Sequence, residues 1–168
     1  MKITQLWKFF YWPVIWGLAL WPWQVSPASW MDNNNLVRSV GVLFLIYGLA
    51  VHIVAGKTLK KLGHSPDNRS IWPDRLVTVG IYASMRHPQH LGLTLIPLGI
   101  ALLIGTFQAL LASGWTVAAA LLFVLVIEEP ECIRKFGNDY FRYMEKTPAF
   151  SLYPGSLIHG IGFLKGHE

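Results

Sequence analysis

Two adjacent acidic residues, Glu128 and Glu129, end a long apolar stretch and are followed by Pro130. Beyond them, apolar and aromatic residues recur at helical steps of three and four: Ile133, Phe136, Tyr140 and Tyr143. This spacing predicts an amphipathic helix with an aromatic face. An acidic pair beside aromatic rings suits a cationic ligand, because both groups stabilise positive charge. The same pair can instead mark a membrane boundary and stabilise the N-terminus of the next helix.

A second polar cluster contains Arg86, His87 and His90. His87 and His90 are three positions apart, so a helix would place both rings on one face. If a reacting group must lose a proton, the candidate general bases are His87, His90 and Glu129. The two histidines alone do not predict a metal site, because no nearby cysteine completes a ligand set and the other histidines are remote in sequence. Hydrogen bonding to lipid headgroups is the alternative role.

The elements that carry these clusters are predicted to be membrane helices. Hydrophobic residues make up 53% of the chain and charged residues only 14%, whereas soluble domains contain about 25% charged residues. Three runs lack Asp, Glu, Lys and Arg, at 9–31, 39–56 and 87–127, and the last is long enough for a helical hairpin. We therefore predict one all-α membrane domain with a C-terminal amphipathic cytoplasmic helix and about four transmembrane helices, at roughly 8–25, 36–55, 88–105 and 109–127.

The positions of Lys and Arg predict the orientation of these helices. The connections 26–35 and 105–109 contain none, whereas most lie in the connection 56–87 and the tail 128–168. The positive-inside rule then places both termini on the cytoplasmic side, where the central connection and the tail form a cap. This topology and contact with lipid headgroups explain the net charge of +5. The charge therefore does not indicate nucleic-acid binding, and the sequence contains no nucleic-acid-binding motif. The compact chain suggests a microbial inner membrane.

Two motifs and the hairpin between them resemble the superfamily of isoprenylcysteine carboxyl methyltransferases and phospholipid methyltransferases. The first motif reads Gly80-Ile81-Tyr82-x3-Arg86-His87-Pro88-x-His90-Leu91-Gly92. The second motif reads Glu128-Glu129-x7-Gly137-x2-Tyr140-x2-Tyr143, and it is followed by Pro148. The resemblance covers about residues 36–154, and its specificity comes from both motifs occurring in register.

The resemblance implies an integral membrane enzyme that transfers a methyl group from S-adenosyl-L-methionine to a lipophilic acceptor. In this family the cofactor lies between the Arg-His-Pro segment and the helix that follows the Glu-Glu pair. The positions facing the cofactor would then be Asp74, Arg75, Leu76, Val77, Tyr82, His87, Pro88, Gln89, His90 and Glu128. The guanidinium of Arg75 or Arg86 suits the methionine carboxylate of that cofactor. The rings of Tyr82, Tyr140 and Tyr143 suit its sulfonium.

Two positions depart from the family pattern. His90 stands where the Arg-His-Pro-x-Tyr pattern usually ends in tyrosine, and histidine keeps a planar ring with a hydrogen-bonding edge. The eukaryotic isoprenylcysteine enzymes carry an arginine shortly before the Glu-Glu pair, and it is associated with substrate binding. The corresponding position here is Val124, which argues against a prenylcysteine carboxylate as the substrate.

Two other functions are compatible with the same features. An NAD(P)H-dependent reductase of the steroid-reductase-like membrane fold would share the helical architecture and similar C-terminal motifs. A non-catalytic membrane protein that has kept the fold and lost turnover would fit the changes at His90 and Val124. Titration with S-adenosylhomocysteine and with NADPH in detergent distinguishes the two enzymes.

Overall fold

The computed structural model describes residues 7–20, 34–70 and 72–166. The regular elements within these residues are all helical, which confirms the predicted all-α class. The α-helices are α1 (Trp7–Leu20), α2 (Asn35–Leu62), α3 (Pro88–Ile104), α4 (Phe107–Phe123), α5 (Glu129–Phe136), α6 (Asn138–Lys146) and α7 (Pro154–Lys165). A 3₁₀ turn, Gly80–Ala83, precedes α3, and a π-helical turn, Val124–Glu128, joins α4 to α5.

Two helical stretches, Asn35–Leu62 and Phe107–Phe136, are long and apolar enough to cross a membrane. The helix Pro88–Ile104 is apolar but shorter. Large apolar side chains on the two long stretches remain accessible, for example Leu43 at 63% and Val126 at 65% exposure. Exposed apolar surface of this kind fits a membrane protein, because lipid covers it without the cost of contact with water.

The predicted helix boundaries are met in part. Of the predicted span 8–25, the residues up to Leu20 are helical, and 21–33 lie outside the described residues. Helix α2 continues past the predicted end at residue 55, because good helix formers follow, among them Lys57, Leu59 and Lys60. The count of four spans remains a prediction.

One compact unit comprises Met1–Gly48 and Leu93–Leu122. In it, α2 and α3 approach through glycines. A Cβ atom on Gly41 would lie 2.9 Å from the Gly99 carbonyl oxygen, closer than real Cβ atoms come. Such close approach of backbones is typical of helices packed within membranes.

The other compact unit comprises Leu49–Gly92 and Phe123–Glu168, and it contains both polar clusters. Its C-terminal part differs from the single amphipathic helix that was predicted. Gly137 has φ of +54° and separates α5 from α6, a conformation that favours glycine and ends a helix. The apolar repeat continues across this break, which is why the sequence pattern indicates one helix.

Helix α7 was not predicted, because three glycines lower the helix propensity of its sequence. It packs on the 3₁₀ turn through Gly160, where an added Cβ atom would lie 2.9 Å from both Ile81 Cβ and Val54 Cγ1. Gly162 lies in the same helix, and an added Cβ there would meet no atom within 4 Å.

The two glycines of α7 give a matched pair of substitutions. We expect Gly160→Ala to lower the free energy of unfolding by about 1–3 kcal/mol, because the new methyl group overpacks the contact with the turn. Gly162→Ala should raise it by up to about 1 kcal/mol, since alanine is the better helix former. Unfolding of both variants in detergent, followed by circular dichroism, measures the difference. Equal changes in the two variants would contradict the close packing at Gly160.

Candidate functional site

The acidic pair lies where a π-helical turn meets an α-helix. The turn Val124–Glu128 runs directly into α5, and Pro130, which has no N–H to donate, follows it in the first turn of α5. Single π turns within helices often mark functional sites. Here Glu128 and Glu129 both reach His87. The side chain of Glu128 is 32% exposed, whereas that of Glu129 is 9% exposed.

His87 lies at the centre of the site and is held on both ring nitrogens. Its Nδ1 lies 3.3 Å from Glu128 Oε2, and its Nε2 lies 3.2 Å from Glu129 Oε1. The backbone N–H of His87 donates to the Ala149 carbonyl at 3.0 Å. Pro88 begins α3 directly after it, which agrees with the expectation that the residue before proline is not helical.

Two carboxylates change the protonation of His87. Burial alone would lower its pKa, since the charged ring is poorly solvated there. Hydrogen bonds to Glu128 and Glu129, together with their negative charge, outweigh burial and raise the pKa above the ordinary value. The ring therefore holds a proton at higher pH than a free imidazole does.

Arg86 joins the site to the C-terminal segment. Its Nε donates to Glu129 Oε1 at 3.0 Å, and Nη2 pairs with the same oxygen. Its Nη1 donates to the carbonyls of Met144 and Thr147, and its backbone N–H donates to the Pro148 carbonyl at 2.9 Å. The guanidinium therefore neutralises a buried carboxylate and fixes the segment after α6.

His90 completes the cluster. Its Nδ1 lies 3.1 Å from Glu128 Oε2, the oxygen that also approaches His87. The His90 ring stacks on Phe123 with centroids 5.4 Å apart and lies edge-on to the His87 ring at 6.1 Å. His87 precedes α3 and His90 lies in its first turn. The two rings therefore meet at the start of α3, as predicted, although only His90 is helical.

Two tyrosines of α6, Tyr140 and Tyr143, contact the cluster and the 3₁₀ turn before α3. The hydroxyl of Tyr140 lies 3.4 Å from His87 Nε2. The hydroxyl of Tyr143 donates to the Tyr82 carbonyl and contacts the Met85 carbonyl at 3.4 Å. Burial is the largest cause of the raised pKa of Tyr82, Tyr140 and Tyr143. Their hydroxyls therefore stay neutral and can donate hydrogen bonds.

The upstream residues of the predicted cofactor set lie in a separate turn. Asp74 accepts hydrogen bonds from the Ser65 hydroxyl and backbone N–H, which lower the pKa of Asp74 to about 2. Arg75 is exposed, Leu76 is half-buried and Val77 is buried. Lys135 of α5 donates to the Pro73 carbonyl and ties this turn to the helix after the acidic pair. A role for these four predicted residues in the site remains a prediction.

Gln89 contacts α2, where a Cβ atom added to Gly56 would lie 3.4 Å from Gln89 Nε2. The Gln89 carbonyl lies 3.4 Å from His52 Nδ1 on α2. Val124 is fully buried in the π turn, so packing explains the apolar residue at this position.

Sequence reasoning missed the contribution of residues 147–150. The carbonyls of Thr147, Pro148 and Ala149 accept hydrogen bonds from Arg86 and His87, and the Phe150 ring lies 6.0 Å from the His87 ring. Backbone carbonyls carry no sequence signal, and Pro148 alone pointed to this segment.

Comparisons with known proteins agree with the motifs. Residues 36–139 match the phospholipid methyltransferase family. Protein-S-isoprenylcysteine O-methyltransferase of Schizosaccharomyces pombe is 30% identical over 97 residues, which are 58% of this chain and 40% of that protein. The protein of the same name from Xenopus laevis is 28% identical over 130 residues, which are 76% of this chain and 41% of that protein.

The chain spans about two fifths of the length of these curated relatives. No solved structure gives a significant match. The family match covers more than half of the chain and includes both polar clusters. The chain therefore belongs to the phospholipid methyltransferase family.

Proposed function

We propose that this protein is an S-adenosylmethionine-dependent methyltransferase that acts on a lipophilic acceptor held in the membrane. The observation that carries the proposal is the convergence of His87, His90, Glu128 and Glu129 in a chain of this family. A methyl donor must be held in line with its acceptor, and positioning alone supplies about 7–11 kcal/mol of catalysis.

The residues of the cluster fit such a cofactor. S-adenosylmethionine supplies a methyl group on a positively charged sulfur. Glu128 is the partly exposed acid of the pair, so it can balance that charge or bind ribose hydroxyls. The ring of Tyr140 can contribute about 0.5–2 kcal/mol to binding of the cation. Arg86 is engaged by Glu129, so the exposed Arg75 is the better partner for the methionine carboxylate.

The acceptor determines whether a base is needed. A carboxylate acceptor is already anionic, whereas a thiol or an ammonium headgroup must lose a proton. We assign the neutral form of His87 as the base in the second case, with Glu129 and Tyr140 orienting its ring. Because its pKa is raised, this form and the reaction are favoured at higher pH than for a free imidazole. The names of the curated relatives favour an isoprenylcysteine acceptor, while Val124 stands where the eukaryotic enzymes carry arginine.

We place the protein in the membrane as a multi-pass chain. The scarcity of Lys and Arg in 26–35 and 105–109 supports a position of these connections outside the cytoplasm. The termini, the connection 56–87 and the tail 128–168 would then be cytoplasmic, in a microbial inner membrane. A water-soluble cofactor would reach the cluster from the cytoplasm, and the acceptor would enter from the bilayer.

Isotopic labelling tests the function directly. The full chain is incubated with S-adenosylmethionine carrying a deuterated methyl group and with either farnesylcysteine or phosphatidylethanolamine vesicles, and the extracts are analysed by mass spectrometry. We expect a deuterated methyl group on one lipophilic acceptor, and the acceptor that gains it identifies the substrate class. Failure to label these acceptors or a total lipid extract, with NADPH binding but no S-adenosylhomocysteine binding, would instead favour the reductase.

A further inference from the structure

His87, His90 and Glu128 have the composition and spacing of a metal site. Each offers one ligand atom, and these atoms lie within 4.8 Å of one another. Glu128 Oε2 lies 3.3 Å from His87 Nδ1 and 3.1 Å from His90 Nδ1. Ligand atoms around a tetrahedral Zn²⁺ with bonds of about 2.1 Å lie about 3.4 Å apart. Two of the three separations therefore already suit such an ion.

The surroundings fix both imidazoles in orientations that suit metal binding. His87 Nε2 faces Glu129 Oε1 at 3.2 Å, and Arg86 holds that carboxylate in place. Carboxylates in this position orient metal-binding histidines and keep the proton on the outer ring nitrogen. With its proton on Nε2, His87 would bind the metal through Nδ1, in place of the contact that Nδ1 makes with Glu128 Oε2 in this structure. Stacking on Phe123 restricts the orientation of the His90 ring.

We propose that His87, His90 and Glu128 bind Zn²⁺ or a similar divalent transition metal. Two imidazoles and one carboxylate are the ligands these metals favour, whereas Mg²⁺ and Ca²⁺ prefer oxygen ligands alone. Three protein ligands leave a fourth position for water. The sequence alone conceals this site, because the third ligand lies far from the histidine pair along the chain. The metal would use His87, His90 and Glu128, the same residues that we assign to the cofactor and the base, so metal and cofactor would compete for one place. Only that competition rests on the proposed function.

Titration with Co²⁺ tests the proposal without relying on activity. The full chain, purified in detergent through a tag that contains no histidine, is titrated with Co²⁺ while its visible absorption is recorded. We expect one Co²⁺ per chain, the absorption of a four-coordinate site, and loss of that signal when Zn²⁺ is added. Glu128→Gln and His90→Tyr should each weaken Co²⁺ binding at least about tenfold, since each removes a ligand.

Matched variants separate this site from other metal-binding groups. His159→Ala removes an exposed histidine of α7 and should leave Co²⁺ binding unchanged. Glu129→Gln keeps all three ligands but weakens the orientation of His87, so we expect a loss of about 10–100-fold. This variant and Glu128→Gln decide the question if His90→Tyr does not fold.

Two results would overturn the metal site. One is the absence of Co²⁺ binding by the folded parent protein. The other is binding that neither Glu128→Gln nor Glu129→Gln weakens. Methyl transfer without metal binding would contradict the metal site alone. Metal binding without methyl transfer to any acceptor would contradict the proposed function alone.

Discussion

Replacement of His87 by alanine is expected to reduce methyl transfer by at least about a hundredfold. The ring contacts both carboxylates and the Tyr140 hydroxyl, so its loss removes the group that holds Glu128 and Glu129 in their relative positions. Where the acceptor must lose a proton, the proposed base disappears as well, and general bases contribute about 10²–10⁴-fold. The measurement is the rate of transfer of labelled methyl from S-adenosylmethionine, made at saturating cofactor and at low cofactor.

Two further variants distinguish the possible causes of that loss of methyl transfer. His159→Ala removes an exposed histidine and should keep the parental rate. His87→Gln can still donate a hydrogen bond to Glu129 but cannot act as a base near neutral pH. Recovery of S-adenosylhomocysteine affinity without recovery of turnover would identify proton transfer as the role of His87. A His87→Ala protein that binds S-adenosylhomocysteine and methylates like the parent would contradict the proposed site.

Replacement of Arg86 by alanine is expected to cost about 3–5 kcal/mol of unfolding free energy, because it leaves a buried carboxylate without its partner. The side chains of Arg86 and Glu129 are each only 9% exposed. The carbonyls of Met144 and Thr147 lose their donor in the same variant. Denaturant unfolding in mixed micelles measures this change. Arg142→Ala removes an exposed arginine of α6 and should change stability by less than about 0.5 kcal/mol.

A double substitution tests the cause of this destabilisation. If the cost arises from an unpaired buried charge, removal of Glu129 as well should relieve part of it. We expect Arg86→Ala combined with Glu129→Ala to be less destabilised than the sum of the single variants, by about 0.5–3 kcal/mol. Strict additivity would show that the ion pair contributes little and that the contacts of Arg86 with Met144 and Thr147 dominate.

Much of the site was predictable because chemistry-bearing residues are rare in so apolar a chain. The spacing of His87 and His90 indicated that their rings lie close together, although only His90 is helical, and Pro88 indicated the start of α3. The adjacent acids Glu128 and Glu129 marked the end of the apolar helix. The helical class followed from the uncharged runs, since unpaired backbone groups are not tolerated in lipid.

The sequence could not predict contacts that depend on backbone geometry. The π turn Val124–Glu128 has no periodic signal, although it sets the direction in which both acids point. The break at Gly137 was hidden because the apolar repeat continues through it. Arg75 or Arg86 was predicted to bind the methionine carboxylate, and only the fold shows that the guanidinium of Arg86 pairs with Glu129.

The carbonyls that accept hydrogen bonds from Arg86 follow it at a distance along the chain, with Thr147 placed 61 residues after it. During translation, the arginine and histidine leave the ribosome long before their acceptors are synthesised. The apolar helices α3 and α4 are complete by then, so a nascent protein can insert into lipid while its reactive centre is still unassembled. A chain that stops before residue 147 would consequently lack the carbonyls that accept hydrogen bonds from the backbone and guanidinium of Arg86 at Thr147 and Pro148.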